Sequence, residues 1–293
     1  MQRRLIFLYD VLEQQVIQRF VRPAKAWVSF LGATISPDGK FVAGTFSDGT
    51  LLVWDVATGN PVAQHHIGPF CGVQPMFFGE KLILSGWYLC RDTKIIEPLS
   101  GEVLAILPNT IAPVAVTNQF IAGIVPFQEN QVAVWNILTW ETVGLLELPS
   151  EVRALAADPN GKGLYIGATN GVIYFFDFNK WQAEQIFVQA SPVLSLTTDP
   201  KGLWLAASSR DDRLVVWDLK RKEMLYEIDV RRTLLQHGWL PRPQDLWVET
   251  LHVQITSLSQ DGANLLLVCT TFMVREIFLV TLEQKGHTSA ALP

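Results

Sequence analysis

An aromatic residue followed by a short polar one recurs along this chain, as Trp54-Asp55, Trp135-Asn136, Phe176-Asp177 and Trp217-Asp218. The last three aromatics stand 41 residues apart, and Trp54 lies 81 before Trp135, which makes two steps with one hidden. The midpoint of the hidden step falls on Ile95, in Thr93-Lys94-Ile95-Ile96. A period of roughly 40 residues marks a radial β repeat, a unit that cannot bury its faces without neighbours.

A second marker keeps the same time. Ala33-Thr34-Ile35-Ser36 runs into the tight turn Pro37-Asp38-Gly39, then come the β-rich runs 41–45 and 51–55, joined by Ser47-Asp48-Gly49. Asp158-Pro159-Asn160-Gly161 and Asp199-Pro200-Lys201-Gly202 repeat the first turn, with Gly161 and Gly202 again 41 apart. Each unit therefore reads strand, turn, strand, turn, strand, with a fourth strand after a turn such as Thr58-Gly59.

On these Trp-Asp ends and Pro-Asp-Gly-like turns the chain resembles the tryptophan-aspartate (WD) repeat family, over nearly its whole length. The Gly-His dipeptide that opens many such repeats is seen only as Gly286-His287. The resemblance implies an all-β fold, a β-propeller whose blades are four-stranded antiparallel sheets around a channel. Repeat cores are placed at 27–66, 70–107, 111–149, 150–190, 191–230 and 251–283 of one domain spanning 1–293. The second, third and sixth are degenerate. Segment 4–21 supplies strands like the third and fourth of a further repeat, and pairing them with the last blade would hide an exposed sheet edge. Six blades, or an incomplete seven, follow from this strand inventory.

The formal net charge of −5 argues against a non-specific nucleic-acid binder. Only 17% of residues are charged, below the usual quarter, as expected for many buried strands or for apolar surface covered by a partner. Cys71, Cys90 and Cys269 are few, odd in number and unclustered, so neither a disulfide framework nor a metal site is signalled, and a reducing, cytoplasmic setting is expected. The run Leu5-Ile6-Phe7-Leu8-Tyr9 imitates a signal peptide, but Asp10 and Glu13 interrupt it and it reads as a strand. No apolar run approaches the roughly 20 residues needed to cross a bilayer, so a soluble or peripheral chain is expected.

Asp55, Asp177 and Asp218 hold the same place in each repeat, which points to carboxylates accepting local hydrogen bonds at strand ends rather than to catalysts. His65-His66 is the one close histidine pair, and neighbours on a strand face opposite ways, a poor arrangement for one metal ion. No nucleophile elbow, phosphate-cradling Gly-rich loop or HExxH is present. No catalytic residue, metal site or cofactor is expected.

Where the period fails, binding residues concentrate. Phe278 follows Trp217 by 61 rather than 41, so about 20 residues are inserted at 231–250, a loop carrying Arg231, Arg232, Trp239 and Trp247, residue types enriched at interaction hot spots. In a propeller the loops joining second to third and fourth to first strands gather on one face. Applied here, that face takes Phe46, Trp87, Tyr88, Phe127, Arg153, Arg210 and Phe272.

The expected function is a non-catalytic protein–protein interaction scaffold, a subunit of an intracellular multiprotein complex that binds proteins or peptides through this loop face. The alternatives are an enzyme with its site in the channel and a membrane-surface adaptor using the Arg231-Arg232 and Trp239 loop. The latter lacks the Phe/Leu-Arg-Arg-Gly motif of phosphoinositide-binding propellers, since Val230 precedes the arginines and Thr233 follows them.

Overall fold

Thr50–Asp55 (TLLVWD) shows how one repeat becomes structure. Its β-branched and aromatic residues favour an extended chain, and residues 51–54 are all buried, so this strand is covered on both faces. The strand that follows it, Pro61–His66, alternates between exposed and half-buried residues, as an outer strand does. In the computed structural model, which describes residues 4–10, 15–22, 28–68, 74–86, 90–236, 252–258, 264–270 and 275–281, this pattern recurs throughout.

The strands in chain order are β1 (Arg4–Asp10) and β2 (Gln15–Arg22); β3 (Phe30–Ile35), β4 (Phe41–Phe46), β5 (Thr50–Asp55) and β6 (Pro61–His66); and β7 (Gln74–Phe78), β8 (Lys81–Ser85), β9 (Thr93–Ile96) and β10 (Val103–Leu107). They continue with β11 (Ile111–Val116), β12 (Phe120–Val125), β13 (Gln128–Asn136) and β14 (Thr142–Glu147), then β15 (Val152–Ala157), β16 (Gly163–Ala168), β17 (Val172–Asp177) and β18 (Gln182–Val188). Last come β19 (Val193–Thr198), β20 (Trp204–Ser209), β21 (Arg213–Asp218) and β22 (Glu223–Asp229), the helix α1 (Val230–Gln236), and β23 (His252–Leu258), β24 (Asn264–Thr270) and β25 (Arg275–Thr281).

Strands β3 to β22 form five four-stranded sheets, each of four consecutive antiparallel strands, and β23 to β25 form a sheet of three. Strands β1 and β2 pair with each other as a sheet of two. A ladder joining them to the last sheet is not among those of the described residues. Instead, Gln18 Nε2 of β2 donates to the Val56 and Ala57 carbonyls beside β5, and Phe20 packs 5.9 Å from the Trp54 ring.

The chain divides into two compact units, one of Met1–Val116 and Phe120–Leu146, the other of Thr117–Gln119 and Glu147–Pro293. In the first, Phe20, Val42, Phe46, Leu52 and Trp54 make one core cluster, and Ile83, Ile95, Leu107, Val114, Ile121 and Trp135 make another. Ile95, the hidden beat, is fully buried on β9, where an aliphatic side chain fills the aromatic's place. In the second unit Phe187 stacks on Trp217 at 4.8 Å, and Thr198 Oγ1 donates to the Ala157 carbonyl one full period upstream.

The Asp residues of the beat do local structural work. Asp55 accepts from both the backbone N–H and the hydroxyl of Thr58, which lowers its pKa. Asp177 and Asp218 each accept two backbone N–H groups from the turn that follows, and Asn136 does the same for Leu138 and Thr139. The degenerate second repeat has its own version: Glu97 accepts the N–H groups of Leu99 and Ser100, its longer side chain replacing the missing Asp.

Two expectations are corrected. Insertion 231–250 begins as helix, since Val230–Gln236 forms α1; the rest of it, with Trp239 and Trp247, lies outside the described residues. Cys90 is disulfide-bonded, so the argument from free thiols for a reducing compartment does not hold.

Candidate interaction site

The turns between second and third strands are held from both sides by main-chain bonds at a constant spacing. Ser47 N donates to Ser29 O, Thr169 N to Glu151 O and Arg210 N to Pro192 O, each bond reaching back 18 residues. On the other side Ile67 N donates to Gly49 O, Gln189 N to Gly171 O and Val230 N to Asp212 O, again 18 residues apart. Each turn is therefore latched to the segment entering its sheet and to the segment leaving it.

The residue receiving the second latch adopts positive φ, +81° at Gly49 and Gly171 and +62° at Asp212. At Gly171 a Cβ would stand 2.3 Å from the Gln189 carbonyl oxygen, so glycine is required there. Asp212 tolerates the conformation as Asp can, but its carboxylate is 6% exposed and needs a partner. Arg231 of α1 supplies it through Nε at 2.6 Å. Burial pushes the Asp212 carboxyl above the ordinary value, and the Arg231 bond only partly offsets this.

In the first unit Arg22 makes a related bond. Its guanidinium, buried at the end of β2, donates to both Asp48 oxygens and to Thr50 Oγ1 and lies 4.2 Å over the Phe46 ring. Burial would raise the Asp48 carboxyl, but the bonds from Arg22 and Thr50 outweigh it and hold the group at about 2.

The predicted binding residues separate on this frame. Phe46 is corrected from rim to core: it is 1% exposed, beneath Arg22 and against Phe30 and Trp54. Phe127, in the turn between β12 and β13, is 62% exposed at φ +65°, with the Arg91 guanidinium 5.1 Å over its ring. Arg91 belongs to the β8–β9 connection, where its carbonyl accepts from Thr110 N–H and the neighbouring Asp92 accepts from Asn109 N–H. Two neighbouring loops of the first unit thus meet in one aromatic–guanidinium pair. Trp87, Tyr88 and Phe272 lie outside the described residues.

In the second unit Arg153 is exposed on β15 and paired with Glu151 at 2.9 Å. Arg210 is exposed in the latched turn, and Arg232 is exposed on α1. Arg231, by contrast, is committed to Asp212. Arg91 escaped the sequence argument because an isolated arginine in a degenerate repeat carries no periodic signal; its placement over Phe127 is a tertiary fact.

Chemistry other than recognition finds little footing. Among the described residues no group of three His, Cys, Asp or Glu side chains could hold a metal ion, and no helix is long and apolar enough to cross a membrane. His65 is engaged with the Pro98 carbonyl at 3.0 Å.

The family described as WD domain, G-beta repeat matches residues 17–55 and 183–218, stretches that end on Asp55 and Asp218. The chain belongs to the WD-repeat family. This WD-repeat protein is 24% identical to the small ribosomal subunit protein RACK1y of Oryza sativa subsp. japonica over 79% of its length and 69% of that relative. It is 26% identical to the protein ROOT INITIATION DEFECTIVE 3 of Arabidopsis thaliana, over 62% of this chain and 47% of that one. It is also 26% identical to the COMPASS component SWD1 of Saccharomyces cerevisiae, over 41% of this chain and 29% of that one. The chain thus matches about half the length of the Arabidopsis relative and under a third of the yeast one. In place of the Gly-His of many repeats, this WD-repeat protein uses Arg22 and Arg231 to engage turn carboxylates, and Trp135 Nε1 donates to Thr110 Oγ1 at 2.9 Å.

Proposed function

We propose that this WD-repeat protein is a non-catalytic scaffold, a subunit of a multiprotein assembly that docks protein or peptide partners through its turn-bearing loops. The observation that carries this reading is Phe127: a large apolar ring, mostly in solvent, on a backbone conformation that L side chains avoid, beneath a guanidinium from the next loop. A non-glycine residue at positive φ costs about 1 kcal/mol, and exposing a phenyl forgoes its burial. Neither cost serves the fold, and both serve a docked partner, because exposed aromatics and arginines are the usual anchors of an interface.

Latched turns add a second support. A partner meeting loops already fixed by main-chain bonds orders little of this chain on binding, which preserves affinity. The names of two relatives, a COMPASS component and a ribosomal subunit protein, agree with membership of assemblies. On this reading Arg153, Arg210 and Arg232 supply further contacts, as do Trp87, Tyr88, Trp239, Trp247 and Phe272.

The test is affinity capture with the tagged full chain and identification of what co-elutes, repeated with Phe127→Ala and Arg91→Ala. At least one partner held by the natural chain is expected to drop out in both variants while far-ultraviolet circular dichroism is unchanged. Retention of every partner by both variants overturns the proposal.

A further inference from the structure

Every described outer strand of a four-stranded sheet except one carries a device that discourages another strand from adding to it. β6 has Pro61 and the His65-His66 pair, β14 ends on Glu147, β18 holds Glu184, and β22 holds Glu223, Glu227 and Asp229. Charges and proline on an edge are how sheets avoid pairing with strangers. β10 is Val-Leu-Ala-Ile-Leu, with neither charge, histidine nor proline.

The strand is also apolar on its free side. Val103, Leu104 and Ile106 are exposed, Ile106 by 51%, while Leu107 and Ala105 pack into the core that β10 shares with the β11–β14 sheet. Val143 and Leu145 of β14 are exposed in the next sheet of the same unit. A register shift in β10 between Val103 and Ala105 does not set it apart, because β5–β6, β17–β18 and β21–β22 have shifts too.

We propose that β10 is a homodimer interface, a second copy of this chain adding its own β10 antiparallel across a two-fold axis at Ala105. In that register Leu104 of each copy faces Ile106 of the other and Val103 faces Leu107. Glu102 meets Pro108, so no like charges oppose one another. An isologous contact requires a strip that complements itself in this way. The same operation on β22 centred at Tyr226 would set Glu223 against Asp229, a repulsive pair. Main-chain bonds supply affinity, as in other strand additions, and the cross-copy apolar pairs fix the register.

The experiment is size-exclusion chromatography with light scattering on the full chain across a wide concentration range, read as molar mass. Two-chain mass is expected at high concentration. Ile106→Lys and Leu104→Lys, at exposed positions that leave the core intact, are each expected to weaken dimerisation at least about tenfold. Leu138→Lys, 82% exposed but off the strand, is expected to leave the dimer in place. One-chain mass at every concentration, or a dimer that survives both β10 variants, overturns the proposal. Because it does not involve Phe127 or the loops, its failure would leave the scaffold reading untouched.

Discussion

Arg231 holds Asp212 at a position where two sister turns have glycine. The carboxylate sits in the latched turn of β20 and β21, and the guanidinium reaches it from the first residues of α1 at 2.6 Å. Gly49 and Gly171 turn at the same place without a side chain. Arg231→Ala is therefore expected to destabilise the chain by about 2 kcal/mol, the cost of leaving a buried charged acceptor unpaired. Asp212→Gly, which copies the sister turns, is expected to cost much less, and urea unfolding of both variants would compare them. The sign with pH follows from the raised Asp212 carboxyl: folding favours its protonated form, so its contribution is best below the ordinary carboxyl value and worsens as pH rises through the folded one. The deficit of Arg231→Ala should shrink on acidification.

Asp48 behaves in the opposite sense. Held at about 2 against an ordinary 3.8, its ionised form stabilises the fold above the ordinary value, and that contribution is lost as pH falls from 3.8 through about 2. Arg22→Met is expected to remove it and to move acid unfolding to higher pH, as followed by circular dichroism. An unmoved midpoint would mean that the bond contributes nothing net.

Trp54 and Trp135 hold the same step of the repeat but not the same bonds. Trp135 Nε1 donates to Thr110, whereas Trp54 Nε1 is buried without a partner. Trp135→Phe should therefore cost about 1 kcal/mol more than Trp54→Phe beyond any difference in packing, since only the former breaks a hydrogen bond. Thr110→Val, which orphans the indole N–H, should cost about 1–3 kcal/mol in thermal or urea unfolding.

Gly171→Ala should be among the costliest small substitutions in the second unit. Its Cβ would meet the Gln189 oxygen at 2.3 Å in a conformation that L residues avoid, and about 2–3 kcal/mol is expected. Protection of the Gln189 amide in hydrogen exchange, which reports the latch, should fall with it.

Phe127→Gly separates stability from recognition. Relief of positive φ offsets the added freedom of glycine in the unfolded chain, so the melting temperature is expected to stay level or rise. Partner capture is expected to be lost. A clear fall in melting temperature would assign Phe127 to the frame.

The sequence was most legible where period and burial coincide. Trp54, Trp135, Phe176 and Trp217 announced third strands, and even the step lacking an aromatic fell on Ile95, because the requirement is a buried apolar volume on β9. Glu97 was harder to see, since a carboxylate one carbon longer reaches the turn from a different position. The rim was least legible: Phe46 and Phe127 are both aromatics beside a turn, but the end of a strand buries one and positive φ exposes the other. Arg231 looked available because nothing in a linear sequence shows that Asp212 occupies a glycine's place.

The bonds that fix these turns run from amide to carbonyl and involve almost no side chain. Ser47, Thr169 and Arg210 differ in every chemical respect yet donate in the same way. Such a backbone is indifferent to what it displays, so mutation can rewrite the display residue by residue while the scaffold's geometry is inherited unchanged. One architecture can acquire a new specificity without first having to solve its folding again.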